Sequence, residues 1–150
     1  LLEVVIALGV SSVGLSAVCA MLIATAAGTY SLSQQATARW LSARLKAEWS
    51  LAPDADPERL ATHGDPMVCD QQLACSPTAF MAGNYADWQR LVTRILPAGS
   101  GHICRDSTPG DGNPAEPACD GLGSLVIKVY WRPAGRAGAD ALRLTTVLET

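Results

Sequence analysis

Leu1-Leu-Glu-Val-Val-Ile-Ala-Leu8, continued by Gly9-Val-Ser-Ser-Val-Gly-Leu-Ser-Ala-Val-Cys-Ala-Met-Leu-Ile-Ala-Thr-Ala-Ala27, carries one charged residue, Glu3. An α-helix rises about 1.5 Å per residue, so Val4 to Ala27 is long enough for roughly 30 Å of bilayer hydrocarbon. A cleavable signal peptide is the competing reading. It has a basic start, a shorter apolar core and a small-residue cleavage site. The first basic residue here is Arg39, so a retained span is expected. Glu3 is the exception in this span. A carboxylate costs on the order of 2.5–3.5 kcal/mol at the bilayer centre and less near the interface. It either reaches water at the membrane edge or pairs with a cation on a neighbouring chain. An N-terminal amine, with a reference pKa of about 8, is a natural partner. Gly9, Gly14 and Ser16 are small enough to let helices approach closely, and Cys19 reads as a small apolar filler.

Working outward, Thr29 to Ala52 contains no Gly or Pro. Gln35, Arg39, Ser42, Lys46 and Ser50 recur at helical spacing as a polar stripe. Ala36, Trp40, Ala43, Ala47 and Leu51 form an apolar stripe, flanked by Leu41 and Leu45. The period of 3.6 predicts an amphipathic helix, with a junction and a possible bend at Gly28. Pro53, Asp54 and Asp56 end it. The expected organisation is an apolar helical half over 1–27, an amphipathic half over 28–52, and a small domain over 53–150.

The last segment reads as α+β. Residues 53–68 form a loop with a short helical turn at Asp56-Pro57. Ser76-Pro77 supplies an N-cap and a first-turn proline for a helix to Ile95, which starts instead near Asn84 if Gly83-Asn84 interrupts it. Pro97-Ala-Gly-Ser-Gly stops it. Gly101–Arg105 is a short strand. Leu125–Trp131 is the best strand, rich in β-branched and aromatic residues. Pro133–Asp140 is a turn-rich connection and Ala141–Leu148 a further strand. Together they predict a small antiparallel sheet on the long helix.

Leu1 to Leu8 resembles the start of a mature type IV pilin or pseudopilin. Family members carry Phe-Thr or Phe-Ser just before this run, after a basic leader ending in glycine, so the sequence is expected to start two residues inside the usual mature terminus. The order Cys69 and Cys75, Ala86-Asp-Trp-Gln89, Ile95-Leu-Pro-Ala-Gly-Ser-Gly101 and Val129-Tyr-Trp131 resembles minor pilins of the PilV type, and Arg44-Leu-Lys-Ala-Glu sits where that family has a basic cluster. The resemblance implies a type IV pilin fold and an assembly role for Glu3. It also implies inner-membrane storage with a periplasmic domain, and leader removal and N-methylation by prepilin peptidase. Incorporation into an extracellular fibre (fimbrium) follows. Implied partners are other minor pilins, the major pilin and a possible tip adhesin. Implied roles are priming or tip assembly, adhesion and twitching motility. A minor pseudopilin of a type II secretion system shares the N-terminal plan. The loop Arg105–Gly123 departs from the family, and Arg105, Asp106, Asp111 and Asp120 become candidates for a partner surface.

Other chemistry is weakly signalled. A net charge of −3 argues against direct nucleic-acid binding. Four cysteines outside the apolar span suit an oxidising compartment. Three pairings are possible; the simplest joins Cys69 to Cys75 and Cys104 to Cys119. Zinc on these cysteines with His102 lacks the usual close Cys pairs. Asp106, Asp111, Asn113, Glu116 and Asp120 crowd one loop without calcium-loop spacing. His63 and His102 lie in loops or at a strand edge with no nucleophile pattern. Trp40, Trp49, Trp88 and Trp131 read as core. No catalytic residue, cofactor or metal is therefore expected.

Overall fold

A computed structural model describes residues 2–52, 54–55, 60, 77–133 and 140–149. The turn at Asp56-Pro57, His63, the Cys69–Cys75 pair and the Ser76 cap lie outside the described residues. The elements are α1 (Leu2–Trp49), α2 (Pro77–Ile95), β1 (Ser100–Asp106), β2 (Ser124–Trp131) and β3 (Leu142–Glu149). Two compact units divide the chain, 1–33 and 34–150.

The first unit is the apolar part of α1. Val4, Val5, Ile6, Leu8, Val10, Val13, Leu15, Val18, Leu22 and Ile23 are all exposed, and the helix is long and apolar enough to cross a membrane. Four of its hydroxyls, on Ser12, Ser16, Thr25 and Thr29, are satisfied within the helix. Ser12 donates to the Gly9 carbonyl at 2.8 Å, Ser16 to that of Ser12 at 2.8 Å, Thr25 to that of Leu22 at 2.9 Å, and Thr29 to that of Ala26 at 2.9 Å. Such back-bonding lets a hydroxyl sit in hydrocarbon without an orphaned donor. Gly28 does not interrupt the helix. Cys19 is a free, exposed thiol in this unit.

In the second unit α1 buries Gln34, Ala38, Leu41, Ser42, Leu45 and Trp49. This corrects the expected face. Trp40 is 54% and Leu51 75% exposed, and Ala36, Ala43 and Ala47 face solvent. The segment carries two apolar stripes, and the one that faces outward is mostly alanine. Burial scales with apolar area, so the stripe holding Leu41, Leu45 and Trp49 wins. Ser42 goes inward with it, its hydroxyl bonded to the Ala38 carbonyl at 3.0 Å.

α2 starts at Pro77, where a missing N–H costs nothing, and runs unbroken through Gly83 and Asn84. A Cβ at Gly83 would meet no atom within 4 Å, so that glycine marks no packing constraint. Met81, Ala82, Tyr85, Trp88 and Val92 face the core. The three strands form an antiparallel meander in the order β1-β2-β3. Ile103, Leu125, Ile127, Val129 and Trp131 join the helical residues in one apolar cluster, with Leu142, Leu144 and Leu148 packed against it.

Both sheet edges are tended. On β1 the Gly101 carbonyl accepts from Gln89 Nε2 at 3.2 Å, and Tyr85 Oη lies 3.5 Å from it. On β3 Lys46 Nζ donates to the Val147 carbonyl at 3.2 Å. Unpaired edge groups invite pairing with other chains, and helix side chains blunt both edges here.

Candidate functional site

Alternation along β2 sends Leu125, Ile127, Val129 and Trp131 to the core and Val126, Lys128 and Tyr130 to the other face. Register places His102, Lys128 and Thr145 in one row across that face, and Ser100, Tyr130 and Arg143 in the next. A polar row of this kind ordinarily meets water. Here Val126, Lys128 and Tyr130 are buried, because the β1–β2 loop, 107–123, folds back over them.

The loop is held by its carbonyls. Lys128 Nζ donates to the Pro117 carbonyl at 2.7 Å and to the Asp111 carbonyl at 3.3 Å. Thr145 donates to the Pro109 carbonyl at 3.1 Å. Arg143 donates to the Gly112 carbonyl at 3.2 Å and to that of Gly110. Gly112 has φ +85, and a Cβ there would lie 2.4 Å from the Pro117 oxygen, so the loop can close over Tyr130 only with glycine at this point. A disulfide joins Cys104 on β1 to Cys119 in the loop, Cα to Cα 6.0 Å.

Lys128 is the centre. Its ammonium pairs with Asp106, and both side chains are 0% exposed; Asp111 Oδ1 lies 3.3 Å away. Together with the Pro117 and Asp111 carbonyls these oxygens form the kind of cage a hard cation takes, and a lysine fills it. Burial works against the ammonium, and the hydrogen bonds to Asp106 and Asp111 outweigh it, leaving the Lys128 pKa raised. Among the described residues no group of three or more His, Cys, Asp or Glu is placed to hold a metal ion.

The candidate partner-surface residues therefore separate. Asp106 is buried beneath the loop and cannot meet a partner; its Oδ1 also accepts from the Thr108 amide at 2.8 Å. Asp120 is exposed but works inside the loop. It accepts from the Ser107 hydroxyl and amide and from the Leu122 amide at 2.8 Å, and these bonds, the Ser107 hydroxyl foremost, lower its pKa. Asp111 is lowered chiefly by the Thr108 hydroxyl at 2.7 Å. Arg105 donates to the Gly123 carbonyl at 3.3 Å. These side chains hold the loop's own fold, while Asp111 and Asp120 also stay exposed to solvent. His102 is half-buried on β1, edge-on to Tyr130 at 6.1 Å between ring centroids. Burial, then the Lys128 charge, holds its pKa below 6.5.

Glu3 lies in the other unit, near the start of α1. Among the described residues no cation pairs with it.

Because the Cys104–Cys119 separation is 15 residues, loop-closure entropy predicts a loss of about 3 kcal/mol when both are changed to serine. Urea unfolding of the full chain in detergent micelles measures it. An unchanged midpoint would show that the Lys128 cage closes the loop unaided.

No family model, curated protein or solved structure matches the chain.

Proposed function

We propose that the chain is a structural minor pilin. It is held in the inner membrane by the first part of α1 and then drawn into a type IV pilus, where it primes assembly or joins the tip complex. Other minor pilins and the major pilin are its partners, and the fibre serves adhesion and twitching motility. The observation that carries this reading is one carboxylate, Glu3, kept in an apolar helix in which Ser12, Ser16, Thr25 and Thr29 bond back to the helix's own carbonyls. A tether has no use for such a charge. A fibre does: a cation of an adjoining subunit that neutralises Glu3 sets the axial register between helices, since any other register leaves both charges unpaired in an apolar core. The small α+β domain with a disulfide-closed loop suits life outside the cytoplasm.

Removing one partner of a buried pair costs roughly 3–5 kcal/mol. Glu3→Ala is therefore expected to lower incorporation into sheared fibres by at least about a hundredfold. Its amount in the membrane fraction and the urea midpoint of its domain stay the same. Glu3→Gln separates charge from shape and is expected to fail similarly. Normal incorporation of both variants would defeat the proposal and leave a membrane-tethered domain.

A further inference from the structure

Beside the folded loop, where it meets the start of β3, lies a cleft of about 750 Å³, within the size range of small-molecule sites. Its polar groups are nearly all donors. The Arg132 guanidinium has no hydrogen-bond or ionic partner among the described residues. Arg143 is held in place by the Gly110 and Gly112 carbonyls, which leaves further N–H groups of its five free. Tyr130, 1% exposed, has a buried hydroxyl beside the Arg143 guanidinium but with no hydrogen bond of good geometry. The Asn113 side-chain oxygen is taken by the Ala115 and Glu116 amides at 2.9 and 3.0 Å, so its NH₂ remains to donate. One acceptor, Asp140, also lines the cleft, and Leu142 gives it an apolar wall.

We infer that this cleft is a binding site for a sugar acid, a saccharide carrying a carboxylate. A planar carboxylate suits two arginines, since guanidinium binds it with parallel hydrogen bonds. Asp140 decides the rest. Inorganic phosphate brings only one or two O–H groups and no apolar face for Leu142, and an acidic peptide brings amide N–H donors but no ring of hydroxyls. A sugar acid brings hydroxyls that donate to Asp140 and accept from Tyr130 and Asn113, and its C–H face lies on Leu142. A buried hydroxyl without a well-formed hydrogen bond costs about 1–3 kcal/mol, and a ligand oxygen removes that cost on binding. The site is independent of the fibre reading, because none of its residues lies in the first unit.

The test is calorimetric titration of the full chain in detergent micelles with four probes: trigalacturonate, a neutral trisaccharide, inorganic phosphate and tetraglutamate. Saturable binding of trigalacturonate alone is expected. Arg132→Gln is expected to weaken it about tenfold or more, as loss of a charge-assisted bidentate contact does. Asn113→Ala weakens it by a smaller factor. Arg90→Gln, at a site paired with Asp87 on α2, leaves it unchanged. Arg132 is exposed, so an unchanged urea midpoint certifies the fold of its variant. Absence of trigalacturonate binding overturns the inference. So does equal binding of phosphate, tetraglutamate or the neutral sugar, and so does full affinity in a folded Arg132→Gln protein.

Discussion

Lys128→Met lowers the unfolding free energy of the 34–150 unit by about 3–5 kcal/mol. Both partners of the Lys128–Asp106 pair are fully buried, so methionine fills most of the volume but strands a carboxylate under the loop. It also removes the donor from the Pro117 and Asp111 carbonyls. The cost comes from the stranded groups rather than from the attraction itself, and that distinction can be measured. Changing Asp106 to leucine in the same chain removes the orphaned charge. The double variant Lys128→Met/Asp106→Leu is expected to recover a large part of the loss, as replaced buried ion pairs commonly do. It does not recover all of it, because Asp106 also accepts from the Thr108 amide. Urea denaturation of the two single variants and the double variant completes the cycle. A loss below about 1 kcal/mol in Lys128→Met, the value of an exposed pair, would mean that water reaches the cage.

How much of this was readable beforehand follows from particular residues. The apolar run from Val4 and the Gly- and Pro-free stretch after Gly28 make a long helix the natural expectation, and α1 runs from Leu2 to Trp49. The β2 segment, Leu125–Trp131, was visible through its branched and aromatic residues. The inward face of α1 was not. Two apolar stripes offset by two residues, about 200° round the helix and so on nearly opposite faces, compete there, and the choice depends on the shape and area of the surface they meet, which no local period contains. The fold of the loop is less legible still. Pro109, Gly110, Gly112, Pro114 and Pro117 among Asp and Asn read as solvated turn, and its carboxylates read as a surface. A signal was present in Lys128. A lysine flanked by Ile127 and Val129, inside a strand with Tyr130 and Trp131, cannot be left under cover without oxygen neighbours. If that face is covered, the cover must be a segment rich in carbonyls and carboxylates, but alternation alone leaves Lys128 facing water. Which segment it was depended on the disulfide and the turn at Gly112, and both belong to tertiary structure. The buried Tyr130 hydroxyl was likewise invisible, since burial of an alternate strand position becomes known only when the cover is placed.

Trp88 joins α1, α2 and the sheet, and Trp88→Ala is expected to cost about 3–5 kcal/mol. Its ring is fully buried and lies with Tyr85 at 5.9 Å between centroids. Its Nε1 donates to the Leu41 carbonyl on α1 at 2.9 Å. That carbonyl sits in mid-helix, so the indole reaches an acceptor α1 already uses within itself, and the bond fixes α2 against one turn of α1. On the sheet side the ring lies over Gly101, where a Cβ would come within 2.3 Å of it. The glycine is there for close approach rather than for an unusual φ. Gly101→Val therefore predicts a second loss at the same contact. Overpacking typically costs about 1–3 kcal/mol, and Trp88 has no room to retreat while bonded to Leu41. The coupling separates this account from ordinary core damage. In the Trp88→Ala background the clash is gone, so Gly101→Val is expected to be nearly neutral there. Additive losses from the two changes would show that the glycine serves something other than the indole ring. Trp88→Phe isolates the hydrogen bond: it keeps most of the apolar area, loses the donor, and is expected to fall between wild type and alanine. If it unfolds at the wild-type urea midpoint, the Leu41 contact does not contribute to holding α2 on α1.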